Sequence, residues 1–157
     1  DGMKIRMVNP MEIFAVKGNA LITRAAARDL YDWCNMLSEG LFEEQRDLFR
    51  KCFLFYMTIS ADTLNKSFDT SAIDTLDFNK IRRDLFPVLN KKDNFQLDER
   101  KKIAKNYISD LMVLTTKEKE YLDRFEEKKY MPELLFEDAE IVERVKNHPM
   151  ALWKCKE

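Results

Sequence analysis

The sequence predicts a mainly α-helical fold, and three observations carry that prediction. Gly and Pro number only 3 and 4 in 157 residues, so backbone breakers are scarce. Leu, Lys, Glu and Ala are plentiful, and these lose little freedom in a helix. Apolar residues also recur at helical spacing, as at Ile103, Tyr107, Ile108, Leu111 and Met112. An all-β architecture would need many more turn residues.

The elements follow in order. Met3–Val8 alternates and carries β-branched residues, as a short strand does; alone in a helical chain, it is expected to complete a sheet lying upstream. Asn9-Pro10-Met11-Glu12 reads as a helix start, with Asn9 capping, Pro10 in the first turn and Glu12 reaching back. That helix is expected to run to about Thr23, and a second from Ala25 to Leu37, stopped by Gly40. A third, Leu41 to about Leu64, is apolar on nearly every side through Cys52–Met57 and predicts a buried central helix. The Ser-, Thr- and Asp-rich tract 65–76 reads as a loop, Asp77 opens a short helix disturbed by Pro87, and Asn90–Asn94 is a charged turn. Further helices are predicted from Gln96 to Val113, from the capping box Thr115-Thr116-Lys117-Glu118 to Lys128, and from Asp138 to Lys146. Met131-Pro132-Glu133 starts a short turn, and a last turn begins at Pro149. Trp153, with Met150 and Leu152, is expected to dock that last turn onto the bundle.

Charge and cysteine usage narrow the function classes. Lys plus Arg (27) nearly cancels Asp plus Glu (28), so no global field draws the chain to nucleic acid, although a local basic patch is allowed. Cys34, Cys52 and Cys155 are odd in number and widely spaced; they predict reduced thiols of a cytoplasmic protein, not a disulfide framework or a zinc site. No apolar run reaches the roughly 18 residues that a membrane span requires, and no secretory signal leads the chain.

The densest polar cluster lies on the first two predicted helices: Lys17, Arg24, Arg28, Asp29 and Asp32. Lys17 and Arg24 are seven apart, two turns along one face; Arg28 precedes Asp32 by four and Asp29 precedes it by three. Two carboxylates at that spacing can hold a divalent metal or orient a base, and a lysine opposite them can neutralise a triphosphate. Phosphoryl and nucleotidyl transfer need both kinds of group, because negative charge builds on the transferred phosphate and on the leaving oxygens. Spacing alone favours the plainer reading, two salt-bridged, solvated helices with Arg28 and Asp32 as an ordinary (i, i+4) pair, because charged helix faces are usually solvated.

The residues themselves go further. Val8-Asn9-Pro10-Met11-Glu12-Ile13-Phe14-Ala15-Val16-Lys17-Gly18-Asn19-Ala20-Leu21, then Arg24, then Arg28-Asp29-Leu30-Tyr31-Asp32, resembles a block of the AbiEii/AbiGii-type nucleotidyltransferases. The later segments Leu114–Leu122, Pro132–Phe136 and His148-Pro149-Met150-Ala151-Leu152-Trp153-Lys154 resemble that family's C-terminal tail. Between about Ser38 and Gln96 only the helical character agrees.

The resemblance implies a toxin of a type IV toxin–antitoxin, or abortive-infection, system, with an antitoxin as partner. It implies a DNA polymerase β-like α/β domain followed by a helical C-terminal domain, with nucleoside triphosphate and Mg²⁺ as cofactors and RNA, such as tRNA ends, as acceptor. Here residues 1–37 would end the nucleotidyltransferase domain, as a strand and two helices, and 38–157 would form the helical domain. Lys17 would be the triphosphate contact, and Asp29 or Asp32 would complete or support the active centre, with Arg24 and Arg28 beside them to bind substrate. The family's Gly-rich turn followed by paired aspartates does not occur in this sequence. The chain is therefore expected to be the C-terminal part of such an enzyme, inactive alone, with no metal bound by itself. The alternative is a non-catalytic helical module that binds an antitoxin or RNA.

Three further features invite function but read better as structure. His148 is the single histidine and is expected at a helix junction. The aromatic run 48–56 lacks the interleaved basic residues of a base-stacking platform and predicts core. Arg82-Arg83, Lys91-Lys92 and Arg100-Lys101-Lys102 could build an RNA-facing patch, but solvated helix faces account for them without one.

Overall fold

The structure is a computed structural model that describes residues 10–60, 66–76 and 97–156. Among these residues there are seven α-helices, three short 3-10 turns and no strand. The helices are α1 (Pro10–Thr23), α2 (Ala27–Ser38), α3 (Arg46–Ser60), α4 (Leu97–Leu111), α5 (Thr116–Glu126), α6 (Ala139–Val145) and α7 (Pro149–Lys154). The 3-10 turns are Glu43–Gln45, Ser71–Thr75 and Pro132–Leu134. The mainly α prediction holds. The strand expected over Met3–Val8, the Asn9 cap, the Asp77 helix and the charged turn at Asn90–Asn94 lie outside the described residues.

α3 is the central helix the sequence anticipates, and it separates two apolar clusters. Phe49 and Phe53 face the first, with Leu21, Leu30, Trp33, Ile73, Leu76, Ala104 and Ile108. Leu54, Phe55, Met57 and Ile59 face the second, with Tyr121, Leu122, Phe125, Leu135, Phe136 and Ala151. Thus α1, α2 and α4 pack on one side of α3, while α5, α6 and α7 pack on the other. The aromatic run is core, as predicted.

Polar contacts fix how the helices meet. Glu118, wholly buried in the first turn of α5, accepts from Arg50 of α3 through both oxygens, at 2.8 Å from Nε and 3.1 Å from Nη2. Lys51 adds a contact at 3.0 Å. The same carboxylate closes the predicted capping box: it accepts from the Thr115 backbone, and the Thr115 hydroxyl accepts from the Glu118 backbone. Arg50 and Glu118 therefore tie the start of α5 to the middle of α3. Farther along, the Tyr121 hydroxyl meets that of Thr58 at 2.9 Å.

Several expectations are corrected. α2 starts at Ala27 rather than Ala25, because Ala25 adopts a left-handed backbone (φ 51°) that ends one helix and turns the chain into the next. α3 starts at Arg46 rather than Leu41, because Gly40 and Phe42 are both left-handed and a 3-10 turn intervenes. Trp153 does not dock the C-terminus: Trp153, Leu152 and Met150 stay exposed, and the small Ala151 fills the second cluster instead. α7 is held by His148, whose Nδ1 accepts from the Met150 backbone and whose ring meets Phe55 edge-on, the structural role predicted for it. All three cysteines are free, and no helix among the described residues is long and apolar enough to cross a membrane.

Candidate functional site

The cluster Lys17, Arg24, Arg28, Asp29 and Asp32 sits where α1 turns back into α2. Backbone N–H groups of Arg24 and Ala25 both donate to the Ala20 carbonyl, at 2.8 and 3.1 Å, closing α1. Ala25 then reverses the chain, Ala26 is extended, and α2 begins. The two helices run antiparallel: Trp33 pairs with Phe14, and Asp32 with Lys17.

Three side chains make this packing specific. Gly18 faces Trp33 and Phe53 so closely that a Cβ would sit 2.3 Å from Trp33 Cζ2 and 2.5 Å from Phe53 Cε2. The indole N–H of Trp33 donates to the Phe14 carbonyl at 2.9 Å. Buried Asn19 donates to the carbonyls of Ala15 and Phe53, both at 3.0 Å, binding α1 to α3. Lys17, between Val16 and Gly18, is thereby fixed in register against α2.

The Lys17 ammonium contacts Asp32 Oδ2 at 2.8 Å, with both side chains about seven-tenths buried. Asp29, one turn earlier on α2, is 8% exposed overall. Its Oδ2 is buried without a hydrogen-bond partner, and Arg24 Nη2 approaches it only to 3.9 Å. Burial raises the Asp29 pKa above the ordinary carboxylate value; Arg24 and Lys17 pull it back, and the Asp32 charge adds to the rise. A buried carboxylate oxygen with no donor is costly to the fold and ready to accept a proton or a hydrogen bond.

The two arginines are placed differently. The Arg24 side chain is 72% exposed, and Arg28 is also exposed. The ordinary (i, i+4) pairing of Arg28 with Asp32 does not form among the described residues: Asp32 turns to Lys17 across the helix pair instead. The structure therefore brings Lys17, Asp29 and Asp32 to one edge, brings Arg24 near Asp29, and leaves Arg28 facing outward.

The fit to a divalent metal is poor within this cluster. Asp32 is engaged by an ammonium, which leaves one carboxylate where a hard cation needs several oxygen ligands. Among the described residues no group of three His, Cys, Asp or Glu side chains could hold a metal ion. A nucleotide's phosphates suit the exposed guanidinium groups of Arg24 and Arg28 better.

Gly18, Asn19 and Trp33 escape a search for charged residues. The signals were a glycine and an asparagine in the interior of a helix, which mark close packing or a buried hydrogen bond. Nothing in local spacing announces Arg50 and Glu118, 68 residues apart.

Comparison with known proteins adds one finding. The sequence model of the family described as nucleotidyl transferase AbiEii toxin, type IV toxin–antitoxin system, matches residues 1–128. No curated protein and no solved structure matches the chain.

Proposed function

The chain belongs to the nucleotidyl transferase AbiEii toxin family of type IV toxin–antitoxin systems, and from that premise we propose that it is the C-terminal part of an enzyme moving a nucleotide from a nucleoside triphosphate to RNA, with tRNA as acceptor. The observation that carries this reading is the convergence of Lys17, Asp29 and Asp32 on one edge of the α1–α2 pair. In nucleotidyl transfer an acceptor hydroxyl oxygen bonds to the α-phosphorus, the bond to the pyrophosphate oxygen breaks, and the hydroxyl proton must leave. Lys17 and the exposed Arg24 and Arg28 offset charge on the phosphates. Asp29, with an open buried oxygen and a raised pKa, is the residue suited to accept the proton. Asp32 holds the Lys17 ammonium in place. Mg²⁺ belongs to the whole enzyme in this reading. The described residues supply no ligand set for it, and no step above runs through it.

The test is transfer of labelled nucleoside triphosphate to RNA by the full-length gene product. Lys17→Ala and Asp29→Ala are each expected to reduce transfer by about 100-fold or more. Asp32→Asn, which only loosens Lys17, should cost about 3- to 5-fold, the worth of an ion pair of up to about 1 kcal/mol. Undiminished transfer by Lys17→Ala and by the double variant Asp29→Ala/Asp32→Ala would end the assignment.

A second reading is favoured by the exposed apolar residues Met150, Leu152 and Trp153 on α7. Type IV toxin–antitoxin membership implies an antitoxin partner, and such residues suit a protein interface. On this reading the chain is a binding module without chemistry of its own. Co-purification with the product of the neighbouring gene, abolished by Trp153→Ser and untouched by Asp29→Ala, would favour it.

A further inference from the structure

Asp29 has a cation beside it but no hydrogen-bond donor, and that combination defines what can bind there. The residue is anchored in the first turn of α2, where its backbone N–H donates to the Ala26 carbonyl at 3.1 Å. Its Oδ2 is buried with no partner. Lys17, whose charge also reaches it, is committed to Asp32 at 2.8 Å. Arg24 Nη2 stands 3.9 Å from Oδ2, beyond the reach of a hydrogen bond. The Arg24 backbone is fixed by its bond to the Ala20 carbonyl, but its side chain is largely exposed, and its guanidinium makes no hydrogen bond among the described residues. Arg24 thus balances the carboxylate without satisfying it, and it can turn to another anion without breaking a bond. A ligand improves on this arrangement only if it brings a donor to Oδ2 and an anion to Arg24 side by side. A triphosphate tail supplies anions and acceptors but no donor. The last nucleotide of an RNA strand supplies both on one sugar, a phosphodiester on its 5′ side and the ribose hydroxyls.

We propose that Arg24 is the positioning residue for the acceptor: its guanidinium takes the phosphodiester that precedes the 3′-terminal ribose of the RNA, and a hydroxyl of that ribose donates to Asp29 Oδ2. This rests on the nucleotidyl-transfer reading for the identity of the ligand, and it adds a division of labour, with Lys17 serving the triphosphate and Arg24 the acceptor. Its evidence is the unmet Oδ2 and the unbonded guanidinium beside it. Movement of Arg24 toward the phosphate also opens one side of the buried oxygen to the incoming hydroxyl.

The experiment measures binding of the chain, by anisotropy across a KCl series, to a 5′-fluorescein RNA hairpin with a single-stranded 3′ end. The hairpin is used in two forms, ending in a ribose or in a 2′,3′-dideoxyribose, beside a fluorescent ATP analogue. The ribose end is expected to bind about tenfold more tightly, the worth of one hydrogen bond to a charged group. Asp29→Ala should erase that preference and leave the salt dependence alone; comparing the two ends on the parent chain needs no variant and stands if Asp29→Ala does not fold. Arg24→Gln should weaken both RNAs alike and lower the slope of log affinity against log salt by about 0.7, the loss of one phosphate contact on a single strand, while ATP-analogue binding stays unchanged. Arg24→Lys should restore the slope but only part of the affinity, because a lysine gives the charge without the fork. Exposed Lys102→Gln on α4 is the control. No RNA binding at low salt, equal affinity for the two ends, an unchanged slope in Arg24→Gln, the same loss in Lys102→Gln, or loss of ATP-analogue binding in place of RNA binding would each overturn the assignment. If the ribose preference depends on Asp29 and the slope on Arg24 while transfer by the full-length protein survives Lys17→Ala and Asp29→Ala/Asp32→Ala, the catalytic reading falls and this one stands. If transfer is lost in Asp29→Ala while Arg24→Gln keeps the parent's KM for RNA, Arg24 is removed and the catalytic reading is intact.

Discussion

Asp29 concentrates the tension of the site in one carboxyl group. Its folded pKa is raised, chiefly by burial, so the folded state favours the protonated acid more than the unfolded chain does. The sign follows: above the folded pKa the ionised group destabilises the fold in full, and this penalty fades as pH falls toward the ordinary carboxylate range. Asp29→Asn should therefore raise Tm at neutral pH by about 2 to 4 °C, the shift that about 1 kcal/mol produces in a chain of this size. The gain should vanish in melts near pH 4, and transfer activity should fall in the same variant. A lower Tm at pH 7 would mean that the carboxylate is satisfied after all. Gly18 behaves in the opposite way. A methyl group there gains about 1 kcal/mol of helix propensity, but it meets two aromatic rings at 2.3 and 2.5 Å that belong to the packed core. Overpacking of that kind costs about 1 to 3 kcal/mol or more, so Gly18→Ala should lower Tm by several degrees and loosen Lys17 from Asp32. Denaturant unfolding that shows Gly18→Ala to be as stable as the parent would contradict the packing at this point.

At the scale of elements, the sequence was most legible where a helix end is set by a local chemical rule. Thr115 and Glu118 announced the capping box of α5, Asp138 announced α6, and Pro149 announced α7, because caps and first-turn prolines act within four residues. The starts of α2 and α3 were not legible. Ala25 and Phe42 take left-handed backbones that their side chains disfavour, so tertiary packing decides those boundaries. The candidate site divides in the same way. Its residues were legible from their types and order, whereas the Lys17–Asp32 contact spans 15 residues and depends on how the turn at Ala25 aims α2. The least legible contact, Glu118 with Arg50, is also the most consequential for the α5–α3 junction. Burial pushes the Glu118 pKa up, yet Arg50, the Thr115 backbone and Lys51 together hold it below the ordinary glutamate value. Its stabilisation is thus present above the ordinary pKa and lost as pH falls through the lowered one. Glu118→Gln keeps most of the cap but leaves Lys51 without its carboxylate and Arg50 with only the exposed Asp47, 3.0 Å away, a loss of about 3 kcal/mol. Its stability should also respond less to acid than the parent's between pH 5 and 3. A loss below 1 kcal/mol would show that solvent reaches Arg50 and Lys51.

At the scale of the molecule, the division of the core by α3 decides how the candidate site is supported. Lys17 and Asp32 rest on the first cluster through Trp33, Gly18 and Phe53. The second cluster includes Leu135, Phe136 and Ala151, which lie beyond the residues 1–128 that match the family. If α3 couples the clusters, damage to the second must be felt at the first, because one helix cannot keep Phe49 and Phe53 in place while its opposite face loses its partners. Leu135→Ala removes a wholly buried side chain and should cost about 2 to 5 kcal/mol. The two tryptophans allow the coupling to be read, since Trp33 is buried in the first cluster and Trp153 is exposed on α7. In a Trp153→Phe background the fluorescence of Trp33 reports on the first cluster alone. Leu135→Ala in that background should move the urea midpoint of the Trp33 signal as far as that of far-UV circular dichroism, without changing the slope of either transition. A Trp33 midpoint left where it was, with circular dichroism showing an earlier partial loss, would mean that α3 holds the first cluster unaided and that the site needs nothing from the C-terminal helices.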